Sequence, residues 1–110
     1  HTTNLALIYA MVQVKKAAAL SYRELYPKEA QKWDAICCAC DRILDGDVND
    51  AFCTSALQGG AGTSTNMNVN EVIANLALTV LGQAPGNYDT IHPLDDVNRG
   101  QSFRKFRTTP

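Results

Sequence analysis

Gly59-Gly-Ala-Gly-Thr-Ser-Thr-Asn-Met-Asn-Val-Asn-Glu-Val-Ile-Ala-Asn75 is the stretch on which the fold turns. Its glycines loosen the backbone and hydroxyl and amide side chains crowd the residues after them, so the segment between Asp45 and Ser64 reads as a loop. Val72, Ile73, Leu76, Ala77, Val80 and Leu81 then recur at helical spacing, and Gly82 suits the left-handed position that closes a helix. The spacing predicts a loop that opens into a helix.

Two further helices are expected upstream. Leu5, Leu7, Ile8, Met11, Val12, Ala17, Ala19 and Leu20 recur at mixed three- and four-residue intervals, which predicts a long, largely buried helix from Asn4, as N-cap, to about Tyr22. Pro27 fits the first turn of a second helix, whose stripe runs through Ala30, Trp33, Ile36, Cys37, Cys40, Ile43 and Leu44 before Gly46. Pro85, Gly86 and Pro93 make the remainder irregular, and no internal repeat is present. The pattern is all-α, and 110 residues bound it to one domain.

Composition excludes several partners. A net charge of −1 gives no electrostatic reason to bind nucleic acid or an anionic membrane. The apolar run Leu5–Val14 is broken by Gln13 and followed by Lys15 and Lys16, short of the roughly 20 residues of a membrane span. The chain opens at His1 without a secretory pattern or an initiator Met, which reads as a clipped or incomplete cytoplasmic protein. Cys37, Cys38, Cys40 and Cys53 read as reduced thiols acting as small apolar residues. The alternative, zinc on Cys37, Cys40 and Cys53, lacks a second closely spaced pair.

A glycine turn running into a helix start is suited to an anion, because the first helical N–H groups have no internal partners and the helix dipole favours negative charge there. Thr63, Ser64 and Thr65 add neutral donors. No Gly-Lys-Ser/Thr follows the glycines, which argues against a nucleotide phosphate loop. Hydroxyls and amides near a helix start also serve simply as caps. Four amides within ten residues, Asn66, Asn68, Asn70 and Asn75, weigh toward a polar network, since buried amides need partners.

Residues 59–75 resemble the first signature region of the aspartase/fumarase superfamily, and Ile91-His-Pro-Leu-Asp-Asp-Val-Asn98 resembles its His-Pro-Asn-Asp-His-Val-Asn segment. The likeness includes Val14-Lys-Lys-Ala-Ala-Ala19 and covers roughly Leu5 to Ser102. Gly60-Ala-Gly-Thr-Ser64 looks like the aspartases, where fumarases usually have Gly-Ser-Gly-Thr-Gln. The resemblance implies the N-terminal helical domain of that fold, truncated before the central helix bundle. It also implies reversible elimination of ammonia from L-aspartate to give fumarate, without metal or organic cofactor, in a homotetramer. Thr63 matches the family threonine that binds the side-chain carboxylate, Ser64 and Asn66 stand beside it, and Ser102 matches the first residue of a downstream substrate-binding run.

After Ser102 the likeness fails, and Arg104 stands where the family has an amide for the substrate amino group. Residues 1–102 therefore read as the family domain and 103–110 as a divergent tail, for which a reading-frame slip after Ser102 is one account and a solvated basic tail the other. Leu94 and Asp96 replace an Asn and a His of the fumarase secondary anion site, so His92 reads as the holder of a turn before Pro93, and Trp33 and Tyr22 read as packing. The family's catalytic serine, on a Gly-Ser-Ser loop far downstream, does not occur here, so no catalytic residue is assigned. Fumarate hydratase and a non-catalytic helical interaction module are the rival readings. The 110-residue chain alone is expected to release no fumarate from L-aspartate above a blank, and ultraviolet detection of fumarate is the check.

Overall fold

The computed structural model describes residues 2–46 and 62–98, with side chains for 6–46 and 66–98. The described elements are helices and turns. Helix α1 runs Thr2–Leu25, a 3-10 turn spans Pro27–Glu29, α2 runs Ala30–Leu44, α3 runs Gly62–Val80, and a π-helical turn spans Pro93–Val97.

Each boundary has a local cause. Tyr26 N–H still bonds the Tyr22 carbonyl at 2.8 Å, but Pro27 disfavours helical backbone at the residue before it, so the chain turns there. The sequence places Pro27 within the second helix; it opens the 3-10 turn instead, and α2 proper begins three residues later. Helix α3 ends with Gly82 at φ 79° and Gln83 N–H bonded to the Leu78 carbonyl at 2.8 Å, the double-bonded closure that glycine permits. Its start departs from expectation: helical backbone begins at Gly62, so Thr63 and Ser64 belong to the helix, while the rest of the expected loop lies outside the described residues.

Helices α1 and α2 form an antiparallel hairpin. Lys16 pairs with Asp41 at 2.6 Å and Arg23 with Asp34 at 2.6 Å, so positions rise on one helix as they fall on the other. These pairs are half-exposed, so solvent screens them and they add little to stability. Apolar burial stabilises the hairpin more. Ile8, Val12 and Ala19 of α1 meet Trp33, Ile36 and Ile43 of α2, and α3 adds Val69, Ile73 and Leu78, with Ile91 and Val97 closing the core. Tyr22 packs against Trp33 at 5.3 Å between centroids with the rings tilted by 32°, in the packing role expected of both.

Helix α1 corrects the sequence reading twice. It begins at Thr2, so Asn4 is inside the first turn rather than capping it. It is also buried along one face only: Leu7, Val14, Leu20 and Leu25 are exposed, whereas Lys15 is 2% exposed. Lys15 follows Ile8 and Val12 and precedes Ala19 at helical intervals, and geometry outranks residue type in choosing the face.

The packing sets an expectation for stability. Truncating Ile73 to Ala, at 0% exposure, removes contacts with no room for relaxation and should cost about 2–5 kcal/mol in urea unfolding. Leu94→Ala, at 44% exposure, should stay within about 0.5 kcal/mol.

Candidate functional site

Three of the residues singled out by sequence, Thr63, Ser64 and Asn66, lie in the N-terminal half of α3. Thr63 and Ser64 lie in its first turn, their side chains outside the described residues. Ser102 and residues 103–110 also lie outside them, as does Cys53. Asn66 is the one candidate whose side chain is described. Its Nδ2 donates to Asn98 Oδ1 at 3.4 Å, and Lys15 Nζ donates to the same oxygen at 3.1 Å. These three side chains, with Met11 and Val14, line an open cleft of about 300 Å³.

Asn98 reaches this point because the chain is gathered into the π-helical turn before it. His92 Nδ1 accepts the N–H groups of Leu94 and Asp95 at 3.0 and 3.2 Å, and Asp96 Oδ2 accepts the His92 N–H at 2.8 Å. Asp96 also pairs with Lys32 at 3.0 Å, fastening the turn to the start of α2. His92 therefore holds a turn, as its position before Pro93 implies.

The asparagine run divides into separate tasks. Asn75 Nδ2 donates to the Tyr88 hydroxyl at 3.3 Å and its Oδ1 accepts Gly86 N–H at 2.7 Å, which pins the segment after α3. Asn70 is fully buried with neither amide atom hydrogen-bonded, a cost of roughly 1–3 kcal/mol. Only Asn66 faces the cleft. Lys15 and Asn98 are the residues that sequence reasoning did not single out. The available signal was the register of Lys15 with Ile8, Val12 and Ala19, four positions on one helical face.

Burial sets the electrostatics. Desolvation lowers Lys15 from 10.5 to about 8, and the Cys40 thiol opposes this weakly. Desolvation likewise pushes Cys40 up to about 12 and raises Cys37. Cys37 and Cys40 are buried and Cys38 is exposed. Among the described residues no group of three His, Cys, Asp or Glu side chains is placed to hold a metal ion.

A family model described as Lyase matches residues 2–106. The chain belongs to this lyase family. Its relatives are those of the aspartase/fumarase superfamily: it is 57% identical over 96 residues to the aspartate ammonia-lyase of Corynebacterium glutamicum, covering 86% of this chain and 18% of that protein. The fumarate hydratase class II of Wigglesworthia glossinidia brevipalpis is 50% identical over 96 residues, covering 87% of this chain and 21% of the relative. A solved structure of fumarate lyase:delta crystallin from Brucella melitensis aligns with a TM-score of 0.80 at 52% identity, over 91% of this chain and 23% of that one. The chain thus spans about a fifth of the length of the curated relatives it matches.

Two measurements test the electrostatics. Below pH 8 folded and unfolded chains both carry the Lys15 proton, whereas between 8 and 10.5 only the unfolded chain does, so stability rises with pH across that window. Wild type should therefore gain on Lys15→Met in urea midpoint from pH 8 to 10.5, and a flat or falling difference would contradict the assignment. Native-state alkylation mapped by mass spectrometry should modify Cys38 well ahead of Cys40.

Proposed function

We propose that this chain supplies the carboxylate-holding part of an aspartate ammonia-lyase, within a polypeptide of its relatives' length. The observation that carries the reading is the start of α3, where the Gly60-Ala-Gly-Thr-Ser64 sequence of the aspartases runs into helical N–H groups beside a cleft walled by a lysine and two amides. The relatives named aspartate ammonia-lyase support the same reading.

In the proposed reaction a base removes the proton from the carbon next to the side-chain carboxylate. The electron pair left behind forms a dianionic aci-carboxylate, and its collapse breaks the carbon–nitrogen bond so that ammonia departs and fumarate remains. Charge builds on the carboxylate oxygens, where fixed donors are most effective. Thr63 and Ser64, with the α3 N–H groups, are assigned that role, Asn66 and Ser102 bind the remainder of the substrate, and the base comes from sequence outside these 110 residues. No metal or organic cofactor takes part. Residues 1–102 form the helical domain and 103–110 a separate tail, and the working protein is a cytoplasmic homotetramer without nucleic-acid or membrane partners. No described helix is long and apolar enough to cross a membrane.

A second reading, hydration of fumarate to malate, is favoured by the fumarate hydratase relative. Both are tested in a protein of the relatives' length that carries this sequence. Ammonia release from L-aspartate is expected; malate formation from fumarate without ammonia would favour the second reading, and neither activity would refute both. Thr63→Ala should lower kcat/KM by about 10²–10³-fold if its hydroxyl meets the developing charge.

A further inference from the structure

A backbone N–H can only donate, so the His92 atom that meets the Leu94 and Asp95 N–H groups at 3.0 and 3.2 Å must be a ring nitrogen without a proton. That settles the state of the ring as well as its tautomer. Nδ1 is the acceptor, the single proton sits on Nε2, and the imidazole is neutral for as long as it caps the turn in this way. Histidine is also the side chain that ordinarily changes charge between pH 5 and 8. A second proton has only Nδ1 to go to, where it turns the acceptor into a donor facing two donors. We infer that His92 is a proton-operated latch on the Pro93–Val97 turn: protonation of Nδ1 breaks both cap bonds, loosens the turn and lets Asn98 leave Lys15 and Asn66. The latch acts on the cleft whatever the cleft binds, and its bearing on catalysis rests on the function proposed above.

The geometry carries a change at the ring to the cleft in two steps. Leu94 and Asp95 are exposed, so water takes over their N–H groups once the ring is charged, and the start of the turn is no longer tied to His92. Asn98 closes the same turn, its N–H on the Pro93 carbonyl at 3.1 Å, so its aim follows the position of that start. The Asn66 contact with Asn98 Oδ1 is already long at 3.4 Å, and a small displacement ends it. Val97 stays buried and Asp96 stays on Lys32, which makes the opening local. The charged and titratable groups around the ring are Asp95 and Asp96 on its own turn, Lys32 from α2, which pairs with both Asp96 and Glu29, and Tyr88, edge-on at 5.8 Å. Helix α3 meets the turn through the uncharged Asn66, and Lys15 of α1 reaches it through Asn98. The Asp96 bond to His92 uses the backbone N–H and no ring atom, so it survives the proton.

Magnetic resonance spectra of the ¹⁵N-labelled 110-residue chain, recorded from pH 7 to 5 and so below the value of about 8 for Lys15, test the latch. At pH 7 the neutral His92 ring should show Nδ1 as a bare acceptor and the proton on Nε2. As the ring takes its second proton, the Leu94 and Asp95 backbone N–H signals and the Asn98 and Asn66 side-chain amides should move with it and share its midpoint. In His92→Asn, whose amide oxygen caps a turn start without titrating, those signals should hold their pH 7 positions down to pH 5. The latch is overturned by a proton on Nδ1 of the neutral ring, by a ring that takes no second proton above pH 5, or by Asn98 and Asn66 amides that stay put while the ring titrates. A His92→Asn chain that reproduces the wild-type shifts overturns it too. Should His92→Asn fail to fold, the match or mismatch between ring and amide midpoints in the wild type decides alone. No substrate is present in these samples, so the outcome bears on the latch, while the assays of ammonia and malate bear on the proposed function.

Discussion

A lysine ammonium enclosed by three helical elements needs an oxygen to bond, because desolvation without a partner is far costlier than any packing its methylenes supply. Asn98 Oδ1 provides that oxygen, and from this one requirement much of the local architecture follows. The turn that presents Asn98 must be held in place, which His92 and Asp96 do through the backbone; the turn must be anchored, which Lys32 does from α2; and Asn66 on α3 is drawn to the same acceptor. Three segments far apart in sequence meet at a single carbonyl oxygen.

The helices were legible in the sequence because their apolar residues recur at helical spacing and their ends carry glycine or proline. Trp33, Ile36, Cys40 and Ile43 are all buried on α2, as their stripe implies, and Gly82 closes α3 with the positive φ expected of it. The buried face of α1 was not legible from residue type, since Val14 is 57% exposed and its neighbour Lys15 is enclosed. Residue type reports a preference for burial, whereas angular position on the helix decides it. A face chosen by register alone would have included Lys15.

The candidate site was legible as a motif and not as an arrangement. The sequence marks the start of α3 as a place for an anion, and Asn66 does line a cleft there. The asparagines that follow look alike in sequence, yet Asn75 pins a turn, Asn70 is enclosed without a hydrogen bond, and only Asn66 reaches the cleft. What separates them is their angular position against neighbours contributed by residues 15, 88 and 98, which local sequence does not encode. Membership of the lyase family fits this picture of a helical scaffold.

The π-helical turn at Pro93–Val97 makes chain length a constraint in its own right. A π turn accommodates one residue more than an α turn over the same rise. Deleting a single residue between His92 and Asn98 would let the segment relax to α geometry and swing the Asn98 side chain by about 100° around the axis, away from α1. Substitutions that preserve the count leave that aim intact, so over evolutionary time this segment should tolerate exchange of its exposed residues, Leu94 among them, far better than it tolerates a change in their number.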